Sequence, residues 1–127
     1  MQKSFIRGPR AQTRAYSTAV ITEGGRTIWL AGHTGAVDDA GKSLCGDFDA
    51  QCRQTFRNIE KTMAEAGAKL ADLVTMTVFL IDARHTTRMT ELRLEILGKD
   101  FPASAAITVA GFALPEMMIE IQAMAVV

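Results

Sequence analysis

The order of apolar patterns along this chain predicts an α+β sandwich, β-β-α-β-α-β-β, with two helices on one face of a mixed sheet. Three observations predict it. Two segments, 48–63 and 89–97, repeat apolar residues at steps of three or four, the period of a helix face. The stretches around them alternate or are β-branched, as strands are. No linker, repeat or low-complexity segment interrupts the pattern, so residues 1–127 read as one domain, enough chain to bury about two thirds of its unfolded surface.

Each element follows from local chemistry. Residues 15–22 and 26–31 are strand-like and joined at Glu23-Gly24-Gly25, where two glycines supply the positive φ angles of a tight turn, so an opening β-hairpin is expected. Residues 32–46 are polar and rich in Gly and Asp, a loop leading to Asp47 as a helix N-cap. Phe48, Cys52, Phe56, Ile59 and Met63 then line one helix face, and Gly67 is a natural C′ stop. Residues 73–81 form a long strand, with Val74, Met76, Val78 and Leu80 on one face and Thr75, Thr77 and Phe79 on the other. Residues 86–97 form the second helix, carrying Met89, Leu92, Ile96 and Leu97 inward. Pro102 separates it from a strand at about 105–109, and residues 117–126 form the last strand. A helix between two strands makes a right-handed crossover, which puts both helices on one sheet face.

The other face is the informative one. In the last strand Ile119, Ile121, Ala123 and Ala125 form the apolar set, while Met118, Glu120, Gln122 and Met124 point the opposite way. Glu120 is therefore a lone carboxylate off the hydrophobic core, a placed acid/base group. A face mixing Thr, Phe, Met and Gln is too apolar to be left to water, so a homo-oligomer that buries it is expected.

Composition narrows the function classes. The 14 basic and 14 acidic residues cancel, which gives no support for attraction to nucleic acid or to an anionic membrane; a small molecule or a protein is the better partner. The first residues lack the apolar run of a signal peptide, no stretch is long enough to span a bilayer, and a cytoplasmic protein is expected. Cys45 and Cys52 read as free thiols, and His33 and His85 have no metal-ligand spacing, so no metal is assigned. Gly32, Gly35 and Gly41 do not make a phosphate cradle. Arg53, Arg57, Glu60, Arg88, Glu91 and Glu95 read as solvated helix faces, and Met89, Met117, Met118 and Met124 as packing.

Several short segments, in this order and spacing, resemble the RidA (YjgF) family: Tyr16-Ser17, Leu30-Ala31-Gly32-His33, Asn58-Ile59 with Ala66-Gly67-Ala68, the strand Val74-Thr75-Met76-Thr77-Val78-Phe79-Leu80, Phe101-Pro102-Ala103 and Ile119-Glu120-Ile121. The resemblance runs from about Tyr16 to Val126. It implies a chorismate-mutase-like fold and a homotrimer with ligand clefts between subunits. It also implies hydrolysis of reactive enamines and imines, such as 2-aminoacrylate, to a keto acid and ammonia, without metal or organic cofactor. In that chemistry a glutamate of the last strand handles the attacking water, a tyrosine of the first strand lines the pocket, and an arginine after the Pro-Ala turn pairs bidentately with the substrate carboxylate. Glu120 matches the glutamate and Tyr16 the tyrosine.

The arginine has no match: Ser104 stands in its place, and the segment from Ser104 to Glu120, with Gly111-Phe112-Ala113, is one residue longer than is common in the family. Loss of a charge-paired donor at a buried carboxylate site costs on the order of 3 kcal/mol or more, so the usual 2-imino acid is expected to bind poorly and another substrate to be used. Ser104 offers one neutral hydrogen bond. Arg14 is the nearest cation in sequence to Tyr16 and the candidate replacement; Arg7 and Arg10 read as solvated. His33 is either an acid/base or anion-holding group near the cleft or a loop histidine bonded to backbone. The leading function is thus enamine or imine deamination, with a non-catalytic metabolite-binding or regulatory trimer as the alternative.

Overall fold

Local signals start and stop both long helices where the sequence predicts. The computed structural model describes the backbone of residues 1–127 and the side chains of all but Ala11 and Gln12. Its elements are β1 (Gln2–Ile6), α1 (Ala11–Arg14), β2 (Ala19–Glu23), β3 (Thr27–Trp29), α2 (Phe48–Glu65), β4 (Leu73–Leu80), α3 (Thr86–Leu97), β5 (Ala103–Thr108) and β6 (Ile119–Val126). The Asp47 side chain accepts a hydrogen bond from the Ala50 N–H at 3.0 Å and caps α2. Beyond its end Gly67 takes φ +75°, and Gly98 takes φ +78° at the end of α3, conformations that side chains with a Cβ resist.

The main sheet has the order β3-β6-β4-β5, with β6 antiparallel to β3 and β4, and β4 parallel to β5. The sheet is mixed, as expected. Val74, Met76, Val78 and Leu80 of β4 and Ile119, Ile121, Ala123 and Ala125 of β6 are buried, together with Cys52, Phe56, Ile59 and Met63 of α2 and Met89 and Leu92 of α3. Thr75, Thr77 and Phe79 are half-buried on the other face, where Gln122 is exposed and Met124 half-buried. Trp29, on the same face opposite Met124, is 79% exposed. Among the described residues no helix is long and apolar enough to cross a membrane.

The opening hairpin is corrected. The turn forms, with Gly24 and Gly25 at φ +73° and +82°, but β2 and β3 do not pair with each other. β2 instead pairs with an N-terminal strand, β1, that the sequence reading missed, and β3 continues the main sheet beside β6. The cause lies at the turn's exit: Arg26 and Val127 exchange both backbone hydrogen bonds, at 2.6 and 3.0 Å, which commits β3 to β6. Strand boundaries move accordingly. β2 begins at Ala19, because Ala15 sits at φ +56° and cannot continue a strand, and β5 begins at Ala103, so that Ser104 lies inside it.

Candidate functional site

Sheet register places Glu120 before any side-chain geometry is considered. In β6 it is opposite Phe79 of β4, and Phe79 is opposite Ile107 of β5, so the carboxylate shares the open face with an aromatic and an aliphatic side chain. Glu120 is half-buried and takes no salt bridge or side-chain hydrogen bond among the described residues. Directly beneath it is Gly32. A Cβ at Gly32 would lie 2.5 Å from Glu120 Oε2 and 2.9 Å from its Cδ, so the carboxylate occupies the space that the missing side chain leaves. The strand's entry is held by Gln51, fully buried in α2. Its Nε2 donates to the carbonyls of Leu44 (3.1 Å) and Glu116 (2.9 Å), and its Oε1 accepts from the Met118 N–H (2.9 Å).

His33 is beside Glu120 in the sheet but faces away from it. It bridges to Ile121, a core-facing position, and its ring meets Ala31 O through Nδ1 at 2.7 Å and Thr62 Oγ1 through Nε2 at 2.8 Å. A carbonyl only accepts, so Nδ1 carries a proton, and in the neutral ring Nε2 accepts from the Thr62 hydroxyl. Both nitrogens are occupied on the helix side, the backbone-bonded alternative of the sequence reading.

The remaining predicted residues meet on that helix side, at the edge strand. Ser17 ties two distant segments together: its N–H donates to Pro102 O (3.0 Å) and its Oγ to Phe101 O (2.6 Å). This brings Tyr16 to the start of β5. Ser104, in register with the buried Met76, points toward α3. Tyr16, Ser104 and Arg14 line a cavity of about 140 Å³ together with Thr90, Arg93 and Ala106. Arg14 is exposed at its rim, and the structure puts its backbone carbonyl, more than its side chain, into the arrangement.

Arg93 was absent from the sequence reading. It is 4% exposed, with Nη1 donating to Ser104 Oγ at 2.7 Å and Nη2 donating to Arg14 O at 3.0 Å. Its Nε is buried without a partner. Burial pushes the guanidinium down to about 10, with only small upward contributions from Cys52 and Tyr16, so it stays charged at neutral pH. The sequence offers only its spacing, four residues after Met89 and three before Ile96, which fits the inward face of α3 and equally a solvated neighbour of its apolar stripe.

A larger cavity, about 430 Å³, lies under the loop before β6 and is lined by Ile81, Phe112 and Leu114 among others. Its carboxylate, Asp82, is held near 2 by hydrogen bonds from the Arg84 side chain and backbone and is already paired, and its His85 ring stacks on Phe48 with centroids 4.3 Å apart. The smaller cavity carries the unpaired charge.

Within one chain the acid and the buried cation are on opposite faces of the sheet: Glu120 on the open face, Ser104 and Arg93 on the helix face. Comparison with known proteins then places the chain. The family model described as Endoribonuclease L-PSP matches residues 7–127. The 2-iminobutanoate/2-iminopropanoate deaminase of Salmonella typhimurium is 35% identical over 94% of this chain and 88% of its own length. The human protein of the same name is 32% identical over 87% of this chain and 79% of its own. A Rid-family protein of unknown function from Yersinia pestis superposes over all of both chains with a TM-score of 0.87 at 28% identity. A family model over nearly the whole chain, relatives above 30% identity and this superposition agree: the chain belongs to the RidA family.

Proposed function

We propose that this protein hydrolyses a reactive enamine or imine to a carbonyl compound and ammonia, using Glu120 and water and no metal or organic cofactor. The observation that carries the reading is the Glu120 carboxylate, unpaired among the described residues and seated over Gly32 on an apolar sheet face. Two relatives named as imine deaminases support the reaction class. An enamine first tautomerises to the imine. Glu120 takes a proton from water as its oxygen bonds to the imine carbon, and returns it to nitrogen; the C–N bond of the resulting carbinolamine then breaks and ammonia leaves. Water supplies the carbonyl oxygen and the protons that ammonia gains.

The working form in this reading is a homotrimer in the cytoplasm. Phe79 and Ile107 beside Glu120, and Trp29 and Met124 further along the same face, leave apolar surface that a second copy would bury. Tyr16, Ser104 and Arg14 would then line the substrate-binding side of a cleft between copies, with Glu120 supplied across it. His33, bonded on both ring nitrogens, is read as a support for the Ala31-Gly32 segment.

The test is ammonia release from imines and enamines generated in situ. Glu120→Gln is expected to lower turnover about 10²-fold or more with assembly unchanged. Tight binding of a metabolite by wild type without turnover of any member of the panel would support the non-catalytic reading instead.

A further inference from the structure

We propose that Arg93, reaching in from α3, does the work of the guanidinium missing at position 104 and holds the carboxylate of a short 2-imino acid. The imine part of that ligand rests on the function proposed above; the carboxylate part rests on Arg93 itself.

Charge accounting leads to it. Arg7, Arg53, Arg57, Arg84 and Arg88 each meet an Asp or Glu side chain at the surface, where water alone would satisfy them. Arg93 is the buried one, and it meets a hydroxyl, a backbone carbonyl and the Met76 sulfur. A buried guanidinium without an anion is costly, and its Nε–H is left with no acceptor at all. A carboxylate in the adjoining cavity, which Arg93 helps to line, would supply the missing anion, since a guanidinium pairs a carboxylate through charge-assisted hydrogen bonds. Ser104 would turn from a missing ligand into the group that aims Nη1.

The cavity also suits such a ligand. At about 140 Å³, lined by Tyr16, Met89, Thr90 and Ala106, it is large enough for a carboxylate with a methyl or ethyl substituent. In this proposal Arg93 restores the cation whose absence at Ser104 led to the expectation that 2-imino acids bind poorly.

Two measurements test this. In the first, 2-oxobutanoate, the hydrolysis product of a short 2-imino acid, is titrated into wild-type protein while the slowly exchanging Arg93 Nε–H resonance is followed by NMR. Saturable movement of that signal is expected; binding that leaves it unmoved, or no binding, overturns the proposal without any substitution. In the second, Arg93→Gln is compared with wild type on 2-iminopropanoate and on a carboxylate-free imine, both generated in situ. The KM for the first should rise about 30-fold or more while the second changes little, and Arg93→Lys should fall between. Equal effects on both imines, or none, overturn it and leave the deaminase reading standing. Arg93-dependent 2-oxobutanoate binding with no hydrolysis of either imine supports the anchor and sinks the deaminase reading.

Discussion

Gly32 shows how a site can depend on an atom that is absent. Its φ lies outside the left-handed region, so an alanine there carries no backbone strain, and the three atoms nearest its Cβ would all belong to the Glu120 side chain, at 2.5, 2.9 and 3.2 Å. The flexible carboxylate must give way. Gly32→Ala should therefore lower kcat by about 10²-fold, the penalty of misplacing a reacting group by roughly an ångström, with little change in thermal stability. Steady-state kinetics beside a melting curve checks it; an unchanged kcat would mean that the carboxylate works from some other position. At this scale the sequence was partly readable. Strand alternation put Glu120 on the open face, and Tyr16 and Ser104 line one cavity. Arg93 was not readable, because a charged residue beside Leu92 and between inward positions looks like a solvated neighbour of an apolar stripe. Only the meeting of α3 with β5 distinguishes the two. His33 was undecided for a related reason: adjacent residues of a strand face opposite ways, and which way was set by its pairing with Ile121.

Elements were more legible than their partners. Both long helices form where the apolar steps predict, and α2 begins and ends at its predicted caps, since those signals are local. The pairing of β2 and β3 was misread because a Gly-Gly turn reports a reversal of direction and not which edges join; that depends on β1 and on the far C-terminus. Gln51 illustrates the same non-local control. A polar residue in the apolar face of α2, it joins three backbone groups from the loop before the helix and the segment entering β6. Gln51→Ala would leave the Glu116 carbonyl and the Met118 N–H without their partner, while the Leu44 carbonyl keeps the Asp47 N–H, and about 2 kcal/mol of stability should be lost, seen as a lower denaturant midpoint. Gln51→Glu keeps the acceptor but not the donors, so it should recover little. A loss below about 1 kcal/mol for Gln51→Ala would mean that water replaces the amide.

The whole molecule poses a separation that no single chain resolves. Glu120 projects from the open face of the sheet and the Arg93–Ser104 cavity lies on the helix face, so a substrate held by the cation cannot meet its own chain's acid. The open face, with Trp29 four-fifths exposed beside Met124 and with Ile107 beside Phe79, is the surface on which another copy would settle. If each cleft takes its acid from one copy and its cation from the next, two variants that are both nearly inactive at 2-iminopropanoate concentrations below the wild-type KM should rescue each other there. Glu120→Gln and Arg93→Gln chains, unfolded together in equal amounts and refolded, would form random hybrids. In these a cleft is intact when the acid donor is an Arg93→Gln chain and the cation donor a Glu120→Gln chain. Each condition holds half the time, so about a quarter of the wild-type turnover of 2-iminopropanoate should return. The same variants refolded separately and then mixed without exchange should stay inactive. If both groups served one cleft from the same chain, every cleft in the hybrids would lack one of them, and the mixture would remain as inactive as its components.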